Sequence, residues 1–488
     1  MADSERTPGA TGEQDSPGAS LRSFWPIIIA LWIAEAVGSF ETAMIFAAQR
    51  ALTEHLGDPI QMGWLITSYL LVGAGAAALA GRLGDLLGRR KVILLILGAG
   101  LVGSLLSALA PNYALLLAGR CIQGLTGAIL ALCVGLVREN LPGDKVALGI
   151  GFMISGASAG TAGGLVIGGL IVDTFSWQAV FLASAVFAAI AIAGIRLCVP
   201  KSPVRVDGKR IDWFGGVLFV PAIFAILAAI TYAPSWGFTD VKTLAAAGLG
   251  ILLLALWIRV SLRTAYPLFD VRLFADRQVA IANGVTALVS MSSLQVTLVF
   301  SLLLQAPRWT MVGLGVSATV AGLVKLPSNI SSLTAGPLSG WLTSRYGGRI
   351  SMVTGGVICA LGWLLAMAFH DSIPVIVAVL IVISFGTTIL FAVGPTVLAT
   401  AVPPDRTSEA AGTMTVVRQA FMGIGAQLMT VLLATETVAS PDGSSHYPSA
   451  SAFMLTMGAI ALLTGLGTAL ALTLPRDAGR LTARPAQK

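Results

Sequence analysis

The sequence predicts an all-α integral membrane protein with fourteen transmembrane helices. Of its 488 residues, 56% are hydrophobic and 11% are charged, whereas soluble domains average roughly 45–50% apolar and 25% charged residues. Fourteen apolar runs are each long enough to cross a bilayer. They begin near Phe24, Trp64, Val92, Tyr113, Val146, Trp177, Trp213, Leu244, Val279, Val316, Ile350, Val375, Glu409 and Ala452.

The distribution of Lys and Arg supports fourteen spans and sets their orientation. With both termini in the cytoplasm, 24 of the 30 cationic residues fall in cytoplasmic segments. Only Arg50, Lys242 and Arg308 fall outside, and three cations remain within spans. Because cytoplasmic loops are enriched in Lys and Arg, a count wrong by one helix would destroy this bias. We therefore expect a multi-pass protein of the plasma membrane with both termini cytoplasmic, beginning with a disordered tail rather than a signal peptide.

The sequence argues against several other classes of protein. It contains no G-x-x-x-x-G-K-[ST] phosphate-binding run, catalytic triad or cofactor motif, so we expect neither an enzyme nor an ATP-driven pump. The net charge of +7 is explained by cytoplasmic loops and gives no reason to expect a nucleic-acid partner. Disulfides and metal sites are not expected, because the cysteines lie in or beside apolar runs without CxxC or His neighbours. These cysteines are Cys121, Cys133, Cys198 and Cys359.

The loop between the second and third runs carries a specific pattern, Gly81-Arg-Leu-Gly-Asp85-Leu-Leu-Gly88-Arg89-Arg-Lys91. Its glycines permit a tight turn and its cations mark the cytoplasmic side. The run resembles the signature G-x-L-x-D-x-x-G-R-[RK]-[RK] of the major facilitator superfamily. The resemblance implies a conformational latch in which Asp85 faces the N-terminus of a helix in the second half, near Ser408, with charge balance against nearby arginines as the alternative. The implied latch residues are Gly81, Asp85, Gly88 and Arg89.

An internal repeat divides the chain into two halves. Gly340-Trp-Leu-Thr-Ser344-Arg345-Tyr-Gly347-Gly-Arg349 repeats the loop pattern, with Ser344 in place of the acid. The repeat predicts two pseudo-symmetric six-helix bundles, with two inserted helices between them. This arrangement resembles the fourteen-helix drug:proton antiporters of the superfamily, which usually work as monomers. The predicted segments are a tail at 1–23, bundles at 24–200 and 279–473, inserted helices with linkers at 201–278, and a tail at 474–488.

Charged residues inside the spans are the candidate functional groups, because each costs several kcal/mol unless it is paired or used. The acids are Glu35 and Glu41 in the first helix, and the cations are Arg120, Lys325 and Arg418. The two acids are separated by about 9 Å of rise and roughly 120° of rotation, so they share no face. A carboxyl group in a poorly hydrated cavity holds its proton more tightly than in water, which is what proton exchange requires.

Two of these charges lie in stretches that resemble antiporter motifs. The segment around Glu41 is similar to the first-helix motif, in which an Asp usually occupies that position. The run Leu117–Gly127 resembles the fourth-helix signature R-x-x-Q-G-x-x-[GA], which implies a proton-transfer role for Arg120 and a cavity position for Gln123. We predict that Arg120 lies opposite a first-helix carboxylate and releases it on protonation. Purely structural roles are the alternative for Glu35, Glu41 and Arg120.

The fifth predicted helix carries a ridge of glycines that resembles the exporter signature G-x-x-x-G-P-x-x-G-G. The resemblance implies antiport and export, although Leu165 stands where the signature has proline. Glycines at this spacing also permit close helix packing. The signature glycines are Gly160, Gly164, Gly168 and Gly169.

Lys325 is unusual, because relatives in this family are generally apolar just before the proline that follows. We expect it to recognise an anionic or carbonyl-rich substrate, to pair with Glu35 or Glu41, or to reach the membrane interface from a helix end. Arg418 belongs to an Arg-Gln pair that resembles one in the family. Further candidates for lining a substrate cavity are Trp32, Phe40, Met44, Tyr69, Gln123, Phe300 and Gln305.

These observations predict a secondary transporter that exports amphipathic drugs or metabolites, driven by a proton gradient and without a cofactor. Its partners would be the small-molecule substrate, protons and the lipid bilayer. Glu41, alone or with Glu35, would accept a proton from outside and thereby displace the substrate. A proton-linked importer or narrow metabolite carrier is the alternative that Leu165 and Lys325 favour. A non-transporting membrane sensor or scaffold is a more remote one, since a scaffold has no reason to bury charges.

Overall fold

The computed structural model describes residues 24–202, 213–264, 271–402, 407–441, 446–476 and 478–479. Nearly all of this part of the chain is helical. The helices of the first half are α1 (Trp25–Ala47), α2 (Gln49–Leu56), α3 (Pro59–Leu87), α4 (Arg89–Ala108), α5 (Tyr113–Gly124), α6 (Ile129–Asn140), α7 (Gly143–Thr174) and α8 (Gln178–Cys198). A 3-10 turn, Leu125–Ala128, joins α5 to α6 so that the two form one crossing.

Two further helices separate this half from the second. They are α9 (Trp213–Trp236) and α10 (Val241–Arg263). The second half contains α11 (Arg277–Met291), α12 (Val296–Gln305), α13 (Ala318–Tyr346), α14 (Gly348–Ala368), α15 (Ile373–Ala401), α16 (Thr407–Leu433) and α17 (Ala450–Ala471). Between α16 and α17, β1 (Thr437–Ala439) and β2 (His446–Pro448) form an antiparallel hairpin in which Val438 pairs with Tyr447.

The structure confirms the predicted fold class. Among the described residues, thirteen helical segments are long and apolar enough to cross a membrane, and α13, at 29 residues, supplies the fourteenth crossing. The chain therefore alternates between two sides. We call the side that carries α2 and the β-hairpin the hairpin side, and the side where α1 begins and α17 ends the termini side.

The two halves meet along two seams. In the first seam α3 packs against α16, and in the second α7 packs against α13. The inserted helices α9 and α10 pack on each other and cover the first seam, where the Trp64 ring lies 4.5 Å from that of Phe224. Gln427 joins α16 to both α3 and α9, because it accepts from Thr67 of α3 at 3.1 Å and donates to Thr231 of α9 at 3.1 Å.

Large apolar side chains cover the outside of the molecule, most visibly on α10. Leu249, Ile251 and Leu252 are each more than half exposed. A contiguous apolar surface of this kind is unfavourable in water but matches the hydrocarbon of a bilayer. In that environment the backbone N–H and C=O groups must form hydrogen bonds within the protein, as they do in a helix. The helices bury polar groups inward instead, and that interior holds the candidate site.

Candidate functional site

Glu41 lies inside the first bundle, where three hydroxyl groups enclose its carboxylate. Only 2% of the residue is exposed. The Thr126 hydroxyl donates to Oε2 at 2.8 Å and the Tyr69 hydroxyl to the same oxygen at 3.4 Å. The Ser104 hydroxyl donates to Oε1 at 3.5 Å. A buried carboxylate requires such donors to remain charged, so the site can hold Glu41 in its ionised form.

Each of these hydroxyl groups also has an acceptor on the main chain. A hydroxyl carries one proton and donates once, so the three donors can turn to the carboxylate or to the backbone. Protonation of Glu41 would therefore leave no buried hydroxyl without an acceptor. The alternative bonds join Thr126 to the carbonyl of Gln123 at 2.8 Å, Ser104 to that of Gly100 at 2.8 Å, and Tyr69 to that of Gly38 at 3.0 Å.

Arg120 is linked to Glu41 through two neutral side chains and forms no direct ion pair with it. Arg120 Nη1 donates to Gln123 Oε1 at 2.8 Å, and Gln123 Nε2 donates to Ser104 Oγ at 2.7 Å. The guanidinium also lies 4.4 Å from the centroid of the Tyr69 ring. The predicted direct contact between Arg120 and a first-helix carboxylate is therefore replaced by a relay, which places Gln123 in the hydrogen-bond network.

Close helix contacts at glycines bring these groups within reach of one another. A Cβ added to Gly103 of α4 would lie 2.7 Å from the carbonyl oxygen of Gly119 on α5. One added to Gly100 would lie 2.6 Å from Cγ2 of Thr126. Larger residues at either position would push the helices apart, and the hydroxyl groups would no longer reach Glu41.

Glu35 has a different environment, although it precedes Glu41 by less than two turns of α1. It is partly buried, and within the described part of the chain its carboxylate has no hydrogen-bond donor. The charge that acts on it belongs to Arg418 of α16, in the second bundle. Arg418 lies over the ring of Phe391, 5.6 Å from its centroid. Glu35 therefore interacts across the two halves of the molecule.

The residue after Arg418 makes a second link between the halves. Gln419 Nε2 donates at 2.8 Å to the carbonyl oxygen of Gly127, within the 3-10 turn that also carries Thr126. The turn thus contacts Glu41 on one side and the second bundle on the other. A change in the hydrogen bonding of Glu41 can therefore be transmitted to α16 through this turn.

Lys325 of α13 is 6% exposed, and its ammonium group has no hydrogen-bond partner among the described residues. It pairs with neither Glu35 nor Glu41 in this conformation. Among the same residues, no group of His, Cys, Asp and Glu has the arrangement of a metal site.

The chain matches a known protein family over most of its length. A sequence profile described as Major Facilitator Superfamily matches residues 31–329 and 285–488. The chain belongs to this superfamily. The match agrees with the resemblance carried by the loop signature and confirms that resemblance over most of the chain.

Several members of the superfamily have similar sequences. The chain is 30% identical to the "Multidrug resistance protein Stp" of Mycobacterium tuberculosis over 76% of its own length and 68% of the relative's. It is 31% identical to the "Multidrug efflux pump LfrA" of Mycolicibacterium smegmatis over 76% and 72% of the two lengths. For the "Tetracenomycin C resistance and export protein" of Streptomyces glaucescens, the identity is 27% over 72% and 64%.

Solved structures of other superfamily members share the fold. A D-xylose-proton symporter superposes with a TM-score of 0.64 at 16% identity, covering 94% of this chain and 99% of that one. An auto inhibited POT family peptide transporter gives 0.65 at 13% identity, covering 94% and 98%. At these identities the likeness concerns the fold alone.

The glycines that resemble the superfamily's exporter signature have a clear packing role. Three of the four lie against the main chain of α1, most closely Gly160, whose added Cβ would be 2.4 Å from the carbonyl oxygen of Ala36. Gly169 faces the other bundle, where its Cβ would be 2.5 Å from the amide nitrogen of Thr319. The ridge therefore positions the helix that carries both carboxylates. The three glycines against α1 are Gly160, Gly164 and Gly168.

The superfamily loop signature is only partly within the described side chains. Gly88 has φ +88°, a conformation that favours glycine. Arg89 Nη1 lies 2.8 Å from Glu139 Oε1 of α6, so it forms an ion pair within its own bundle. The side chains of Asp85 and of its proposed partners near Ser408 lie outside the described residues, so the latch stays a prediction, including the part assigned to Gly81.

The other predicted cavity residues occupy several environments. Trp32 Nε1 donates to Ser155 Oγ at 3.2 Å, between α1 and α7. Phe300 packs in the second bundle with its ring 5.8 Å from that of Trp363. Phe40 and Met44 are buried on α1, where Gly164 and Gly168 contact them; Gln305 donates to Ser301 Oγ at 2.8 Å.

On the hairpin side, Asp173 at the end of α7 caps the beginning of α13 in the other bundle. Its carboxylate accepts from the amide nitrogen of Ala318 at 3.0 Å and from that of Thr319 at 2.9 Å. The Thr319 hydroxyl donates to it at 2.6 Å. A negative charge at a helix N-terminus is stabilised by the helix dipole, so this contact holds the second seam closed on the hairpin side.

A second cluster closes the hairpin side near the first seam. Arg50 donates to Glu54 at 2.9 Å and to the carbonyl oxygen of Gln305 in the second bundle at 3.1 Å. Tyr447 of the β-hairpin donates to Glu54. Burial, and then the nearby Glu54, raise the pKa of Tyr447 to about 12, so the phenol remains a donor at physiological pH.

Four of the residues that sequence reasoning missed link Glu41 to its surroundings or join the two halves. Ser104 and Thr126 hold the carboxylate of Glu41, Gln419 spans the first seam, and Asp173 closes the second. Thr126 lies within the fourth-helix signature, and Gln419 adjoins Arg418, so both had a local signal. Ser104 is one of many small polar residues in apolar runs and had none.

Proposed function

We propose that this transporter exports amphipathic small molecules in exchange for protons and that Glu41 is the group that binds the proton. The carrying observation is the dual hydrogen bonding around Glu41, which provides donors for the carboxylate and alternative acceptors for those donors. The names of the relatives, which include multidrug resistance and export proteins, support export as the direction of transport and drug-like small molecules as the substrate class.

The proposed exchange begins with Glu41 ionised and three hydroxyl groups turned toward it. When a proton binds, the carboxyl group needs fewer donors, and Thr126, Ser104 and Tyr69 can return to main-chain acceptors. The hydrogen bond from Gln419 to Gly127 carries the resulting shift of the 3-10 turn to α16. A bound proton and a bound substrate then exclude each other, with the proton entering from one side of the membrane and the substrate from the other.

The hairpin side is closed in this structure by contacts of Asp173 and Arg50 with the second bundle. We assign the termini side to the cytoplasm, because the cation bias of the sequence favours that orientation. The conformation then corresponds to a state closed to the outside. Export requires these contacts to break after the substrate has bound, which is the alternating access expected of two bundles related by a parallel repeat.

This function can be tested in everted membrane vesicles across which a proton gradient is imposed. Vesicles containing the protein should accumulate rhodamine 6G, a lipophilic cation, when the gradient is imposed and lose that activity when an uncoupler is added. The Glu41→Gln variant should show no gradient-dependent accumulation. Uptake that is independent of the gradient, or unchanged in Glu41→Gln, would contradict the proposal.

A dedicated carrier of one metabolite is a second candidate, favoured by the unpartnered ammonium group of Lys325. General efflux of lipophilic cations has no need for a buried cation in the pathway. Absence of movement for a panel of cationic dyes, with protein shown to be folded, would favour this candidate.

A further inference from the structure

Two unpartnered donors lie one turn apart on α13. Lys325 is 6% exposed, yet its Nζ has no acceptor among the described residues. The side-chain amide nitrogen of Asn329 is likewise buried and without an acceptor there. Residues four apart share one face of a helix, so the two donors are neighbours. Leaving buried donors unpaired is costly, and charged ones in a membrane most of all.

This face of α13 points toward the other bundle. Gly322, three residues before Lys325, packs so closely on α7 that an added Cβ would lie 2.7 Å from the carbonyl oxygen of Leu165. Lys325 and Asn329 continue the same face toward the termini side. The Gly322 contact and the Asp173 cap of α13 lie between these donors and the hairpin side, which leaves the termini side as the direction of access.

No described acid neutralises Lys325. Glu41 accepts from hydroxyl groups of its own bundle, Asp173 accepts from the amide groups that begin α13, and Lys325 forms no hydrogen bond with Glu35. A Lys placed only to reach the interface would have its ammonium group in solvent, and this one is buried. An acceptor supplied by a bound molecule would satisfy it.

We propose that Lys325 and Asn329 form a subsite for an acidic oxygen of the transported molecule, such as a carboxylate or phenolate, so that the substrates include amphipathic anions. The ammonium group supplies the charge, and the Asn329 amide donates a second, orienting hydrogen bond. The inference rests on the proposed transport function and adds the chemical class of the substrate.

Equilibrium binding of two dyes with one scaffold and opposite charge tests the subsite. Fluorescein is an anionic xanthene and rhodamine 6G a cationic one. Fluorescence anisotropy would be measured with purified protein in lipid nanodiscs, with empty nanodiscs as the blank. Lys325→Met should weaken fluorescein binding by about tenfold to a hundredfold, the size expected for one charged hydrogen bond, and leave rhodamine 6G binding unchanged.

Three further variants give the experiment its controls. Lys325→Arg should retain fluorescein binding because the charge is kept, and Asn329→Leu should weaken it less than Lys325→Met does. Lys242→Met removes an exposed lysine at the beginning of α10 and should change nothing. Equal fluorescein affinity in wild type and Lys325→Met, or no saturable fluorescein binding by wild type, would overturn the subsite. So would loss of both dyes in Lys325→Met accompanied by loss of fluorescein in Lys325→Arg.

Transport measurements separate this inference from the function on which it rests. Gradient-driven accumulation of rhodamine 6G without any Lys325-dependent binding of fluorescein would leave the export function standing and remove the subsite. Lys325-dependent binding of fluorescein, with neither dye moved by a proton gradient, would support the subsite and contradict proton-driven export.

Discussion

Glu41 and Glu35 stand on the same helix, yet the structure gives them opposite surroundings. Glu41 is enclosed by hydroxyl donors of its own bundle, the nearest being Thr126 at 2.8 Å. Glu35 has no hydrogen-bond donor within the described residues and is influenced by Arg418 of the other bundle. The first arrangement suits a group that gains and loses a proton in place. The second suits a charge whose partner changes when the bundles move.

The difference follows from the rotation between the two positions along α1. Glu41 points where α4 and the 3-10 turn approach at Gly100, and small residues there admit hydroxyl groups. Glu35 lies instead within the electrostatic influence of Arg418 on α16. Two identical side chains therefore have different surroundings because different helices lie beside them.

The largest effect is expected for Glu41→Gln. The amide cannot ionise, so proton-driven exchange should fall to the background rate, while substrate exchange that needs no proton movement should persist. Both would be measured in proteoliposomes with and without a pH gradient. Asp371→Asn removes a carboxylate whose side chain is 93% exposed and serves as the control. Retained gradient-driven exchange in Glu41→Gln would show that Glu41 is not the group that binds the proton.

A smaller loss is expected for Thr126→Val, which removes the shortest hydrogen bond to Glu41 and keeps the side-chain shape. A hydrogen bond to a charged group contributes about 1.5–3 kcal/mol, so the rate of proton-driven exchange should fall roughly tenfold to a hundredfold. Thr161→Val is the matched control, because that hydroxyl donates only within its own helix, to the carbonyl of Ala157. Equal rates in the two variants would show that Thr126 does not act on Glu41.

Removal of Glu35 tests the cross-bundle interaction. Glu35→Gln and Arg418→Gln should each slow exchange by about tenfold, because either change removes the electrostatic attraction between the two charges. In the double variant the effects should not add, since both act on one interaction. Initial rates of dye efflux for the four proteins give the coupling directly. Additive losses would show that the two charges work independently.

The smallest effect on chemistry, but a measurable one on stability, is expected for Gly160→Ala. The new methyl group would lie 2.4 Å from the carbonyl oxygen of Ala36, and overpacking of this kind costs roughly 1–3 kcal/mol. The unfolding temperature in detergent should fall by several degrees. Gly163→Ala on the same helix, where an added Cβ meets nothing within 4 Å, should not lower it, because Ala favours a helix more than Gly does. A similar loss in both variants would show that packing of Gly160 on α1 is not responsible, since helix propensity favours Ala at both positions.

Much of the fold was predictable from local sequence patterns. Apolar runs and the bias of Lys and Arg indicated fourteen crossings, and the two loop patterns at Gly81 and Gly340 indicated two halves. Membrane helices satisfy their backbone within each segment, so length and hydropathy are enough to locate them. The charged residues inside the spans were visible for the same reason.

The partners of those charges could not be predicted in this way. Ser104 lies 63 residues from Glu41, and Gln419 lies 292 residues from Gly127. Contacts over such separations depend on how helices pack, and helical periodicity gives only the face on which a residue lies. The direct contact expected between Arg120 and a first-helix acid proved to be a relay through Gln123 for this reason.

By itself the sequence determined the membrane class, the number of spans, the repeat and the set of buried charges, because each is written in contiguous residues. Only the tertiary structure decided that Glu41 has alternative hydrogen-bond partners, that Glu35 comes under the influence of the Arg418 charge, and that Lys325 has no counter-ion among the described residues. The physical reason is that the stability of a buried charge depends on which groups lie within a few ångströms of it. Those groups come from helices that the chain brings together only on folding.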